Sequence, residues 1–438
     1  MRPFLTFVLF LWSFTLTQAQ TLDTDKLDRY FEVLSENDKF MGSIAVSKDG
    51  QLIYTKSVGY ADQAQGLEAT EKTKYRIGSI TKSFTAVLIF KAREQGLLDL
   101  ETTIDQWFPE VPNASEITVS HLLNHRSGIF NFTNDPDYLT WNTEAKSEEE
   151  MVALVVAGGS VFKPDSRAEY SNSNYVLLTF ILEKVFKASY ADLVRIHITE
   201  PIELKDTYVF GKMNTADNES KSYQYAGLWK EEAETDFTIP LGAGAITATA
   251  SDLTRFGDAL FGGRLLQEES LKLMITITDG YGRGIFQVPF HERTGYGHSG
   301  GIDGFRSMYT HFPEDKLTYA MTSNGLNTNS NAISIAVLSA AYGQDFDIPE
   351  FSTYAVTAED LDAYLGVYAT DQIPLKITVT KEGNTLIAQG SGQPPFALEA
   401  TDRHKFKLDM VGAEFEFQPE SNTMVLFQGG GQISFTKE

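Results

Sequence analysis

Two hairpin signals bracket a long helical stretch, and that order constrains the fold more than any other feature of the chain. Ser43-Ile-Ala-Val-Ser47 and Gln51-Leu-Ile-Tyr-Thr55 flank Asp49-Gly50, a dipeptide suited to a tight primed turn. Phe305–Phe312 and Lys316–Thr322 flank Pro313-Glu-Asp, a second hairpin. Between them, from about residue 98 to 240, the pattern is mostly helical and loop-like. Thr118–His125 reads as a short helix ended by Ser127-Gly128, and Ser147–Val156 and Asn174–Phe186 as further helices. Leu22–Glu36 places Leu27, Tyr30, Phe31 and Leu34 at amphipathic spacing, and Ala332–Ala341 is an apolar helix. The simplest assembly is an antiparallel sheet made from both ends of the domain and covered by the terminal helices. The helical part is inserted between them, with a cleft where the two parts meet.

The texture changes after Leu361. Short alternating runs follow one another at Leu375–Thr380, Thr385–Ala388, Lys405–Leu408, Glu414–Phe417 and Thr423–Phe427, separated by turn residues such as Gly383-Asn384. This pattern predicts a small all-β barrel or sandwich. The expected division is a signal segment over 1–19, a main domain over 20–343, a linker over 344–360 and a β domain over 361–438.

Length and composition narrow the class. The 438 residues are 42% hydrophobic and 12% aromatic, enough for sizeable cores. The net charge of −23 argues against nucleic acid and anionic membrane surfaces as partners. Arg2, the apolar run Phe4–Leu16 and Thr17-Gln-Ala19 have the layout of a secretory signal cleaved before Gln20, with an uncleaved anchor as the alternative. The expectation is a secreted or periplasmic protein with no integral membrane segment after cleavage. The chain has no cysteine, which excludes disulfides, thiol catalysis and cysteine-ligated metals.

Arg76-Ile-Gly-Ser79-Ile-Thr-Lys82-Ser-Phe84 opens an apolar helix that carries Ile80, Phe84, Val87, Leu88 and Ala92, with Gly96 as its stop. Positions i and i+3 share a helix face, so Lys82 can reach the Ser79 hydroxyl. A serine hydroxyl needs an adjacent base, and a lysine serves only when its pKa is lowered. By itself such a motif is also an ordinary capped helix entry. Two further stretches change that. Glu169-Tyr170-Ser-Asn172-Ser-Asn-Tyr175 begins an apolar helix, and Gly297-His298-Ser299-Gly300-Gly301 begins a strand. The pair of glycines fits either a bulge or close approach of a substrate to the strand edge. Gly242–Ala250, rich in glycine but lacking the Lys-Ser/Thr ending of a phosphate loop, reads as a turn or pocket wall before a helix capped by Ser251 or Asp252.

Taken in order, Ser79-x-x-Lys82, Tyr170-x-Asn172 and His298-x-Gly300 resemble the three active-site motifs of the serine β-lactamase and penicillin-binding-protein superfamily. The class C and DD-peptidase branch is the nearest match. Ile117–Gly128, Pro201–Thr207 and Tyr281–Gly284 look similar to that family as well, and the resemblance covers about residues 25 to 342. It implies an α/β (α+β) β-lactamase/transpeptidase-like fold, an antiparallel sheet flanked by helices with a mostly helical subdomain. The appended β domain would be lipocalin-like.

The resemblance also implies roles. Ser79 forms an acyl-enzyme, and Lys82 is the base or holds Tyr170 as a phenolate-like base. Tyr170 protonates the leaving group. Asn172, His298, Ser299, Gly300 and Gly301 bind substrate, with the N–H groups of Ser79 and Gly301 as the oxyanion hole. Histidine at 298 stands where β-lactamases carry lysine, a permanent cation; histidine is a conditional one, which weighs against efficient β-lactam hydrolysis. The expected activity is a DD-peptidase or D-amino-acid peptidase on a small peptide, ester or β-lactam substrate. The alternatives are a β-lactamase or carboxylesterase, and a catalytically silent peptide-binding or sensor protein. No cofactor is called for. His121 and His125 have the spacing of a metal pair, but no Glu follows His121, and no metal is expected. The oligomeric state is not legible.

Overall fold

The computed structural model describes residues 22–351, 354–393 and 395–438, so the signal-segment expectation for 1–19 lies outside the described residues. Strand β1 (Phe40–Lys48) and strand β2 (Gln51–Val58) form the first hairpin. Asp49 and Gly50 have φ of 50° and 75°, the paired left-handed conformation of a primed turn. β1 pairs antiparallel with Leu317–Leu326, so the two ends of the domain meet in the centre of one sheet. From one edge the order is Phe286–Phe290, Arg293–Ile302, Phe305–Phe312, Leu317–Leu326, β1 and β2.

Helix α1 (Thr24–Glu36) and the helix Ser330–Ala341 cover one face of this sheet. Leu27, Phe31, Ile44, Val46, Tyr319 and Val337 pack there. The helix Ala250–Phe261 covers the other face and joins it to the helical part through Leu253, Phe256, Tyr309 and Ala320. Helix α2 (Thr81–Glu94) runs through the middle of that second core. Its expected apolar positions are buried, but so are Thr81, Lys82, Ser83 and Thr85 on the remaining sides. A helix buried all round cannot be placed by one apolar stripe. Gly96, with φ of 69°, follows its end.

The structure corrects some local expectations. The segment expected to be helical and loop-like also holds short strands at Tyr208–Val209, Tyr223–Tyr225 and Trp229–Glu231. Strands of two or three residues carry too little alternation to be seen in sequence. The helix after Tyr170 spans Asn172–Phe186, two residues longer at its start than expected. The helix after the glycine-rich stretch is capped by Thr249, whose side chain accepts from the Asp252 N–H, not by Ser251 or Asp252.

Eight strands from Gly366–Ala369 to Gly431–Lys437 close into a barrel, which decides between barrel and sandwich. Its interior is filled by Tyr368, Phe406, Phe415, Phe417, Met424 and Phe435. Gly366–Ala369, Phe396–Asp402 and Gly431–Lys437 are strands the alternating pattern did not announce. The barrel docks on the main body through Lys39, which pairs with Glu399 and Asp409. Gln224 Nε2 donates to the Pro395 carbonyl at 3.0 Å, and Lys230 pairs with Glu382 at 2.6 Å. Among the described residues no helix is long and apolar enough to cross a membrane.

Candidate active site

The sheet, α2 and the Asn172–Phe186 helix converge on Ser79. Ser79 sits in a single 3-10 turn, Gly78–Ile80, directly before α2. Lys82 follows in the first turn of α2 and is fully buried. Its Nζ lies 3.0 Å from Ser79 Oγ, 2.7 Å from Asn172 Oδ1 and 2.8 Å from the Ala243 carbonyl oxygen. Burial pushes the Lys82 pKa well below the ordinary lysine value, and among the described residues no carboxylate pairs with it to oppose this. A neutral amine has two hydrogens and one lone pair. Asn172 Oδ1 and the Ala243 carbonyl can only accept, so they take the two hydrogens. In the neutral form the lone pair then faces Ser79 Oγ and can take its proton.

Asn172 is held in turn. Its backbone N–H donates to Asn131 Oδ1 at 2.9 Å and its Nδ2 to Thr133 Oγ1 at 3.1 Å. Tyr170 lies with its ring 4.8 Å from Lys82 Nζ. Burial raises its phenol above the ordinary tyrosine value, and the nearby Ser79 hydroxyl opposes that only in part. The ring packs on His125 at 4.4 Å and near Tyr281 at 6.4 Å and His298 at 6.5 Å. Phe286 adds a contact to His298 at 4.5 Å. These rings exclude water from one side of Lys82, which is what makes its charged form costly.

His298 is 3% exposed, and its pKa is pushed down to about 3, first by burial and then by Lys82. Its Nδ1–H donates to the Ser299 carbonyl at 2.5 Å. The ring is neutral at physiological pH. It therefore offers no cation to a substrate carboxylate, and the conditional cation expected at this position is not realised. His121 and His125 are occupied locally. His121 Nδ1 accepts the Thr118 N–H at 3.2 Å in a capping box, and His125 Nδ1 accepts the Ser171 N–H at 3.2 Å.

The strand register excludes one of the two sequence readings of the glycine pair. The strand Arg293–Ile302 stays in register with its neighbour from Tyr296 to Ile302, so there is no bulge. A Cβ on Gly300 would lie 2.0 Å from the Ile77 carbonyl oxygen and 2.5 Å from Ser307 Oγ. Gly300 admits the protein's own backbone, the segment leading into Ser79. Gly78, with φ of 48°, completes this approach; a Cβ there would lie 2.8 Å from Gly301 N. Gly301 is exposed, and the nearest atoms a Cβ there would meet belong to the Arg306 side chain, at 3.4 Å or more. Ser299, also exposed, shares its face by strand alternation.

A cavity of about 530 Å³ opens from Ser79, Asn172 and Gly301. Pro240, Ala243 and Gly244 form one wall, as the glycine-rich stretch suggested. Tyr170, His298 and Ser299 do not line it. The main contributors missed in the sequence are the Ala243 carbonyl, Asn131, Thr133 and His125. A backbone carbonyl leaves no signature in sequence. His125 lay inside a stretch already singled out, but nothing there tied it to Tyr170.

A family model described as Beta-lactamase matches residues 27–344. "Penicillin-binding protein 4*" of Bacillus subtilis (strain 168) is 27% identical over 93% of this chain and 97% of its own length. The D-amino acid amidase from Ochrobactrum anthropi SV3, solved with L-phenylalanine amide, aligns at 26% identity and a TM-score of 0.63 over 73% of this chain and 97% of its own. The octameric penicillin-binding protein homologue from Pyrococcus abyssi aligns at 24% identity and a TM-score of 0.65 over 94% of this chain and 100% of its own. That last likeness speaks to the fold and extends it through the barrel.

Proposed function

The chain belongs to the Beta-lactamase family, and on that premise we propose a serine hydrolase in which Ser79 is the nucleophile, Lys82 the base and Tyr170 the proton donor. Ser79 Oγ attacks the carbonyl carbon of an amide or ester while its proton passes to Lys82 Nζ. The carbonyl oxygen takes the negative charge, facing the N–H groups of Ser79 and Gly301. Collapse breaks the bond to the leaving nitrogen or oxygen, which takes a proton from Tyr170, and Lys82 returns one to Tyr170. Water then hydrolyses the acyl-enzyme. Asn172 fixes Lys82, and neutral His298 closes the site behind Tyr170.

The observation that carries this reading is the buried Lys82, with two hydrogen-bond acceptors and the Ser79 hydroxyl around it. Burial raises the Tyr170 phenol and so works against a phenolate base, which favours Lys82 in that role.

The relatives' names point to penicillin-like compounds and to D-amino acid amides, so the substrate is a D-amino-acid-containing amide or ester. With His298 neutral, a substrate carboxylate has to be met by hydrogen bonds, for which the exposed Ser299 hydroxyl is placed, rather than by an ion pair. That favours DD-peptidase or D-amino-acid peptidase chemistry over β-lactam turnover. Residues 1–19 direct export, 20–343 form the hydrolase unit and 361–438 the barrel unit, joined by 344–360.

The test is intact mass after mixing the protein with a penicillin, with Ser79→Ala in parallel, followed by D-alanyl amides and esters. A Ser79-dependent adduct or turnover is expected. Equal reaction of both proteins refutes the assignment.

A further inference from the structure

The barrel reaches the catalytic cavity, and we propose that Phe396 and Met410 form the outer wall of a subsite for the acyl side of the substrate, held in place by Lys39. The subsite takes acyl groups that carry an apolar, ring-sized substituent. This rests on the reading of Ser79 as nucleophile.

Phe396 and Met410 line the same cavity as Ser79 and Gly301. Which half of the substrate lies there follows from the proton donor. A leaving group has to sit beside Tyr170, and Tyr170 packs at the His298 end of the strand Arg293–Ile302. The cavity lies at the other end, around Gly301, Ile302 and Asp303. A strand rises about 3.3 Å per residue, so His298 and Ile302 are separated by roughly 13 Å. The room beyond Gly301 therefore faces the acyl half. Phe132, Tyr138, Pro240 and Ile302 supply apolar surface to the same cavity from the main body.

Two of the barrel's docking contacts lie beside these residues. Lys39 is 2% exposed and pairs with both Glu399 and Asp409. Glu399 lies on the strand Phe396–Asp402 that begins with Phe396, and Asp409 directly precedes Met410. Gln224, itself a cavity residue, donates to the carbonyl of Pro395, the residue before Phe396. One buried cation thus ties down both barrel segments that reach the cavity. Lys39 touches no reacting atom and acts through them as a positioning residue.

The test uses the full chain and two thioesters that differ only at the acyl end, N-acetyl-D-alanyl and N-phenylacetyl-D-alanyl thioglycolate. The readout is the ratio of their kcat/KM values. This ratio is internal to each variant, so a partly unfolded sample does not distort it. The wild type prefers the phenylacetyl substrate. Phe396→Ala and Met410→Ala each lower the ratio about tenfold. Lys39→Met lowers it similarly and Lys39→Arg recovers it. A ratio within about threefold of wild type in either Phe396→Ala or Met410→Ala overturns the subsite. A wild-type ratio in Lys39→Met removes the positioning role. If neither thioester is turned over in a Ser79-dependent way, the nucleophile assignment fails and the subsite with it; Ser79-dependent turnover without acyl preference defeats the subsite alone.

Discussion

Adding one methyl group at Gly300 tests whether the site depends on backbone meeting backbone. In Gly300→Ala the new Cβ would start 2.0 Å from the Ile77 carbonyl oxygen and 2.5 Å from Ser307 Oγ. Both are backbone-anchored, and Ser307 Oγ already donates to that same carbonyl at 2.8 Å. Relief requires the strand and the Ile77–Ser79 segment to part by about 1 Å, and a misplacement of that size costs on the order of 100-fold in rate. Overpacking of this kind also lowers stability by about 1–3 kcal/mol. At Gly301 the nearest atoms to the same methyl group belong to the Arg306 side chain, at 3.4 Å or more, and the backbone N–H is kept. Gly301→Ala is therefore expected to lose no more than roughly tenfold. The assay is the acylation rate by a chromogenic D-alanyl thioester, with thermal unfolding of each variant alongside. Gly300→Ala acylating within about threefold of wild type, or the two variants losing equally, would refute the argument.

Three further outcomes follow from the site. Tyr170→Phe removes the proton donor, so hydrolysis of an amide should fall by about 100-fold or more, and hydrolysis of a thioester, whose leaving group needs no proton, far less; steady-state kinetics on a matched pair checks this. With the His298 pKa pushed down to about 3, the wild-type rate should show no limb of His298 near pH 6.5, and comparison with His298→Gln across pH 5 to 8 tests it. The sign for stability is that the unfolded chain binds the proton first, so this histidine costs stability as pH falls below about 6.5. Burial pushes Lys39 down to about 8, first by desolvation against the pull of Asp409, so it remains charged at neutral pH. Lys39→Ala should cost about 3 kcal/mol in urea unfolding, at the low end for a broken buried pair because Lys407 still faces both carboxylates.

What could be read in the sequence had local or chemically specific causes. Asp49-Gly50 fixes a primed turn by its own φ preferences, and the apolar spacing of Leu27, Tyr30, Phe31 and Leu34 fixes the face of α1. Ser79 and Lys82 are three residues apart on a helix, so their contact is set by helical geometry alone. The order of hairpins and helices was enough to bring both ends of the domain into one sheet.

The rest depends on segments distant in the chain. The Lys82 pKa is pushed down by burial among Asn172, Ala243 and the rings around Tyr170, which come from four separate stretches. Desolvation is a property of the enclosure, not of the lysine, and no short window contains it. The packing role of Gly300 was not legible for the same reason: the atom it makes room for belongs to Ile77, on another element. Phe396 and Met410 reach the cavity from the barrel, which Lys39 ties to the main body through Glu399 and Asp409. The sequence by itself singled out Ser79, Lys82, Tyr170 and Asn172 as candidates and fixed how each is locally presented. Only the tertiary structure decided their charge states, their spacing across elements and the shape of the cavity, because burial and long-range contact are set by what packs around a residue rather than by its neighbours in the chain.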